Sequence, residues 1–118
     1  MLRIFCKSKI NGLKVTEAQL YYQGSITIDA NILKAADIAE GEKVEVLNLN
    51  NGSRIETYAL EGEKGSGVVC LNGPAARSGC VGDPLIVLCY CFVEDKEVKS
   101  QKLKVIHVEK ENKIVRKG

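Results

Sequence analysis

"ILKAADIAEGEKVEVLNL", residues 32–49, runs from a short helical pattern through Gly41-Glu42 into an apolar strand. An echo follows at 73–90, "GPAARSGCVGDPLIVLCY", where a second helix-like segment leads through Gly82-Asp83 into a strand. Val44 and Val46 of the first unit align with Leu85 and Val87 of the second. Two helix-turn-strand units in a small β domain suggest a pseudo-twofold closed barrel, which leaves no unprotected sheet edge. Chance similarity between two amphipathic units is the competing explanation.

On either side of these units, apolar positions recur with period two, or as β-branched runs, through "LRIF", "LKVT", "SITI", "KVEVLNL", "RIETYAL", "GVVCLN", "PLIVLCYCFV" and "KLKVIHV". The pattern predicts a mainly β protein. Short helices are expected in "DANILKAADI", with Asp29 as N-cap and Ile32, Leu33 and Ala36 on one face, and in "GPAARSG", with Pro74 in its first turn. A third is expected in "EDKEVKS". The C-terminal stretch reads as a strand, a polar turn at Glu109 to Asn112 and a return strand.

At 118 residues the chain is expected to form a single domain, residues 1–118. Its 17 basic and 15 acidic residues leave a net charge of +2, too little to point to nucleic acid. No run approaches a membrane span, and "MLRIFCKSKINGLKV" lacks the features of a signal peptide, so a cytoplasmic location is expected. The five cysteines lack C-x-x-C spacing and are expected to be buried free thiols, with no metal site. Cys89 and Cys91 would share a strand face, which leaves a metal or a pairing open beside the simpler core role. His107, the only histidine, alternates with Val105 and Leu103 and reads as structural.

Within "LYYQGSITID", residues 20–29, Gly24-Ser25 interrupts a strand-forming run. Lys9, Tyr22, Arg54, Thr57, Tyr58 and Asn72 are polar where a half-buried β surface does not need them. Each also has an ordinary role available, as surface charge, amphipathic strand residue or turn.

Taken in order, Lys9, "YYQGSITID", "NNGSRIETYA", Asn72-Gly73 and "VGDPLIV" resemble the pyruvoyl-dependent aspartate alpha-decarboxylases over residues 1 to 93. The resemblance implies a double-psi β-barrel with short inserted helices. It implies self-cleavage between Gly24 and Ser25, giving a short chain 1–24 and a long chain 25–118, with a covalently bound pyruvoyl group generated from Ser25. Such a group forms a Schiff base with the amine of L-aspartate and accepts the electron pair left when CO2 departs, yielding β-alanine for pantothenate and coenzyme A synthesis.

Residue by residue, the family assigns the α-carbon proton donor to Tyr58. Thr57 is assigned to the oxyanion of self-cleavage or to substrate, and Lys9 and Arg54 to the substrate carboxylates. Tyr22, Asn72, Gly73, Pro74 and Ala75 would complete the substrate pocket. The absence of a Cβ at Gly24 would let the peptide before Ser25 take a strained geometry. The resemblance also implies a homotetramer with sites between subunits, and leaves room for a maturation factor.

Strict alternation places Arg54 and Tyr58 on one strand face and Thr57 on the other, so a bulge, a strand end or a neighbouring subunit must intervene. Four positions depart from the family pattern: Asn11-Gly12 replaces His-Arg, Leu47 replaces a tryptophan, and Pro74 replaces an alanine whose N–H it lacks. A non-catalytic or unprocessed β-barrel binding module is the alternative.

Overall fold

The computed structural model describes residues 1–118. "LRIF" and "LKV" belong to one long strand, β1 (Leu2–Lys14), which passes through Val15 and Thr16 into the short β2 (Glu17–Gln19). After a bend come β3 (Ser25–Asp29), helix α1 (Ala30–Ala35), β4 (Lys43–Asn48), β5 (Arg54–Gly62) and β6 (Val69–Asn72). A 3-10 helix, Gly73–Ser78, leads to β7 (Pro84–Glu94), followed by β8 (Lys104–Glu109) and β9 (Lys113–Lys117). The third expected helix is a 3-10 turn, Asp95–Glu97, and the C-terminal polar turn is another, Lys110–Asn112.

The ladder runs β2-β6-β3-β5-β4-β7-β1, with β8 and β9 appended beyond β1. Because β2 continues β1, its pairing with β6 closes the ring. β3 runs parallel to β5 and β2 parallel to β6, while the other ring contacts are antiparallel.

The echo in the sequence is a real pseudo-twofold. β4 and β7 pair as Val44↔Cys89, Val46↔Val87 and Asn48↔Leu85, so the two aligned residues Val46 and Val87 meet on the axis. The turns repeat bond for bond. Gly41 N–H donates to Ala59 O and Ala59 N–H to Glu42 O; Gly82 N–H donates to Val15 O and Val15 N–H to Asp83 O. Gly41 and Gly82 both have left-handed φ, 89° and 94°, which glycine adopts at no steric cost. This mixed, twofold-related ladder agrees with a double-psi β-barrel carrying short inserted helices.

Ile10, Leu13, Ile26, Ile28, Leu71, Leu85 and Ile106 fill the barrel, with Ile32 and Leu33 of α1 closing one side. Asp29 caps α1 by accepting Asn31 N–H at 2.8 Å, and it also accepts Gly65 N–H at 3.0 Å and Gly67 N–H at 2.9 Å. One buried aspartate thus ties helix start and β5–β6 loop together. Asn112 pins the C-terminal hairpin to the barrel by exchanging bonds with the Lys14 backbone and donating to Gly67 O.

One expectation is corrected. Only Cys70 and Cys89 are buried, and Cys80 is exposed, because it stands in the turn before β7, with its N–H on Asp83 Oδ2. Asn11-Gly12 lies in a register break of β1; Gly12 has φ 89°, and a Cβ there would collide with the Val108 carbonyl oxygen. A side chain at position 12 is excluded by that neighbour. No helix is long and apolar enough to cross a membrane.

Candidate active site

β3 and β6 pair antiparallel with Ser25 opposite Asn72 and Thr27 opposite Cys70. Alternation sends Ile26, Ile28, Val69 and Leu71 into the core. The remaining four side chains therefore form two consecutive cross-strand pairs on the other face. They are bonded together. Asn72 Nδ2 donates to Ser25 Oγ at 3.0 Å and to Thr27 Oγ1 at 2.9 Å, and the Cys70 thiol donates to Asn72 Oδ1 at 3.1 Å.

Ser25 is fully buried, and its hydroxyl donates to Gln23 O at 3.1 Å. The nucleophile candidate is thus held from two sides beside the Gly24–Ser25 peptide. Asn72 heads the 3-10 helix Gly73–Ser78 but makes no capping bond with its side chain, which is committed to the neighbouring strand instead. Burial pushes the Cys70 thiol up, the charge of Glu17 adding to the effect, so the S–H is kept as a donor.

The demand for glycine falls on Gly73 rather than on Gly24. Gly24 has no left-handed φ, and a Cβ there would touch only Pro74 Cδ at 3.4 Å, an ordinary contact. Gly73 has φ 62°, and a Cβ on it would lie 2.5 Å from Tyr22 O and 2.8 Å from Gly24 N. The backbone before Ser25 therefore rests directly on Gly73.

A cleft of about 470 Å³ opens beside this contact, lined by Gly24, Thr57, Tyr58, Pro74, Ala75 and Ser78 among others. Thr57 and Tyr58 both reach it although they are sequence neighbours. Ile55 and Glu56 line it as well, so four consecutive residues of β5 border the cleft, backbone and side chains together. Pro74 lines the cleft with its ring and offers no N–H.

Lys9 and Arg54 are not among the cleft's lining residues. Lys9 lies on β1, between Leu88 of β7 and Val105 of β8. Arg54 Nη2 donates to Glu45 Oε1 at 3.0 Å and to Tyr90 Oη at 3.4 Å, and the hydrogen bond with Glu45 raises its pKa. Glu45 and Tyr90 line a second groove of about 340 Å³ with Ile4 and Phe92. Tyr22 is 59% exposed, meeting the site through its backbone carbonyl. Thr27 and Cys70 carried no sequence signal beyond alternation, because which strand lies beside which is a tertiary fact.

A family model described as aspartate decarboxylase matches residues 1–115. The chain is 55% identical over 115 residues to aspartate 1-decarboxylase of Thermoanaerobacter pseudethanolicus, covering 98% of each protein. It is 56% identical over 110 residues to the protein of that name from Caldicellulosiruptor bescii, covering 93% of this chain and 86% of the relative. The Myxococcus xanthus protein of the same name is 52% identical over 115 residues, with 98% and 88% covered.

Proposed function

The chain belongs to the aspartate decarboxylase family, and from that membership together with the buried, doubly bonded Ser25 we propose that it is a self-processing, pyruvoyl-dependent carboxy-lyase that converts L-aspartate to β-alanine and CO2. The observation that carries it is the Ser25 hydroxyl, fixed between Gln23 O and the Asn72 amide next to the Gly24 carbonyl.

In self-cleavage, Ser25 Oγ attacks the Gly24 carbonyl carbon, the Ser25 nitrogen leaves as the amine, and an ester joins the two residues. Loss of the Ser25 α-proton then expels the Gly24 carboxylate by β-elimination, cutting the chain into 1–24 and 25–118. The dehydroalanine left at residue 25 takes up water and releases ammonia to give the ketone. Thr57, in the cleft with Gly24, steadies the oxyanion of the first step. Asn72 orients the attacking oxygen.

The surroundings fit a pyruvoyl group: its ketone carbon would be the former Ser25 α-carbon and its methyl the former β-carbon, and the Asn72 amide would lie beside them as a hydrogen-bond donor. The group supplies an electrophilic ketone for the substrate amine and a sink for the electron pair released with CO2. Tyr58 delivers the proton to the α-carbon from the same cleft. Pro74 and Ala75 line the cleft, and Gly73 supports the Tyr22–Gly24 backbone beside it.

Lys9 and Arg54 supply positive charge for the substrate carboxylates from across a subunit boundary in a homotetramer, which accounts for their position outside this chain's own cleft. The product feeds pantothenate and coenzyme A synthesis in the cytoplasm, and a maturation factor can assist the cleavage. Intact mass under denaturing conditions, before and after mild heating, tests the proposal. Two fragments divided after Gly24, the larger with a pyruvoyl N-terminus, support it. A Ser25→Ala protein with normal turnover of aspartate sinks it.

A further inference from the structure

We propose that Cys70 is a positioning residue for self-cleavage: its S–H holds the Asn72 side-chain amide in the orientation that presents Nδ2 to Ser25 Oγ. The inference rests on the self-processing proposed above.

The two ends of an asparagine amide have nearly the same shape, so only hydrogen-bond partners decide which end faces which neighbour. At Asn72 the partners are specific. The Ser25 hydroxyl spends its proton on Gln23 O, so its oxygen is left as an acceptor and requires the NH2 end of the amide. Thr27 Oγ1 accepts from the same end. The carbonyl end then faces Cys70, whose thiol is the donor at 3.1 Å.

Without that donor the Asn72 carbonyl oxygen is buried with no partner, which a rotation of the amide relieves only by turning oxygen toward Ser25. The serine proton would then be drawn from Gln23 O to Asn72, and the nucleophile would change direction. Burial supports the role by keeping the thiol protonated. Position supports it too. Cys70 and Asn72 are alternate residues of β6, facing Thr27 and Ser25 directly in register, so the thiol reaches the amide without any loop to adjust.

The test follows the rate of chain cleavage by intact mass in the full-length protein and in Cys70→Val, Cys70→Ala and Cys70→Ser, with thermal unfolding of each. Valine keeps the bulk and β preference of the site without a donor; serine keeps a donor. The expected result is about a tenfold or greater slowing for Val and Ala, with cooperative unfolding retained, and cleavage within about twofold of the parent for Ser. Should Val fail to fold, the Ala and Ser pair decides. Cleavage of Val at the parent rate overturns the proposal while leaving self-processing intact, as does a Ser variant slowed as much as Ala. A parent chain that never cleaves removes the proposal together with the self-processing on which it rests.

Discussion

Asn72 and Ser25, 47 residues apart in the chain, are joined by a buried hydrogen bond from the Asn72 amide to the Ser25 hydroxyl oxygen, 3.0 Å long. Asn72→Ala removes it and frees Thr27 Oγ1 as well. Cleavage after Gly24 is expected to slow by about tenfold or more, since orientation of the nucleophile is lost. A mass time course checks this, and cleavage at an unchanged rate would contradict the assigned role.

Gly73→Ala places a Cβ 2.5 Å from Tyr22 O at a residue with φ 62°. The left-handed conformation and the collision together are expected to cost about 2 kcal/mol or more, read by denaturant unfolding in a Ser25→Ala background. In the cleavable chain the displaced Tyr22–Gly24 backbone should abolish processing. Gly24→Ala, by contrast, meets only Pro74 Cδ at 3.4 Å and should leave stability nearly unchanged.

Tyr58→Phe keeps the ring that lines the cleft and deletes the proton donor. Processing should proceed while decarboxylation falls by roughly a hundredfold. Separate measurement of chain cleavage and β-alanine formation distinguishes the two. Equal loss of both would assign Tyr58 to the cleavage step.

Burial alone would raise the Asp29 carboxyl, but backbone N–H groups from Gly65, Gly67 and Asn31 outweigh it and hold its pKa below the ordinary value. The folded value is therefore lower than the unfolded value of about 3.9, and the stabilisation is complete above that pH and lost as pH falls through the folded value. Asp29→Asn should cost about 1–3 kcal/mol at neutral pH. It should also flatten the fall in stability below about pH 4. An unfolding series against pH, in the Ser25→Ala background, gives both quantities.

Much of the barrel was legible because its signals are local. Val44, Val46, Leu85 and Val87 alternate within their strands, and the twin Gly41 and Gly82 turns fix where those strands begin. Asp29 declared itself as an N-cap for the same reason. The short β2 was not visible, since Glu17–Gln19 are all exposed and carry no apolar period. Exposure of Cys80 was missed because cysteine composition alone does not say which thiols sit in turns.

Local pattern was enough for the mainly β class and the repeat that closes the barrel, and ordered motifs for the family and the Ser25, Thr57 and Tyr58 candidates. Tertiary structure decided what those residues touch. β3 lies beside β6, which brings Asn72 and Cys70 to Ser25 and Thr27; residues 55–58 of β5 border a cleft together with Gly24 and Pro74; and Gly73 bears the Tyr22–Gly24 backbone. Periodicity reports only which way a side chain points from its own strand, whereas these contacts depend on pairing between segments tens of residues apart, set by burial of the whole core.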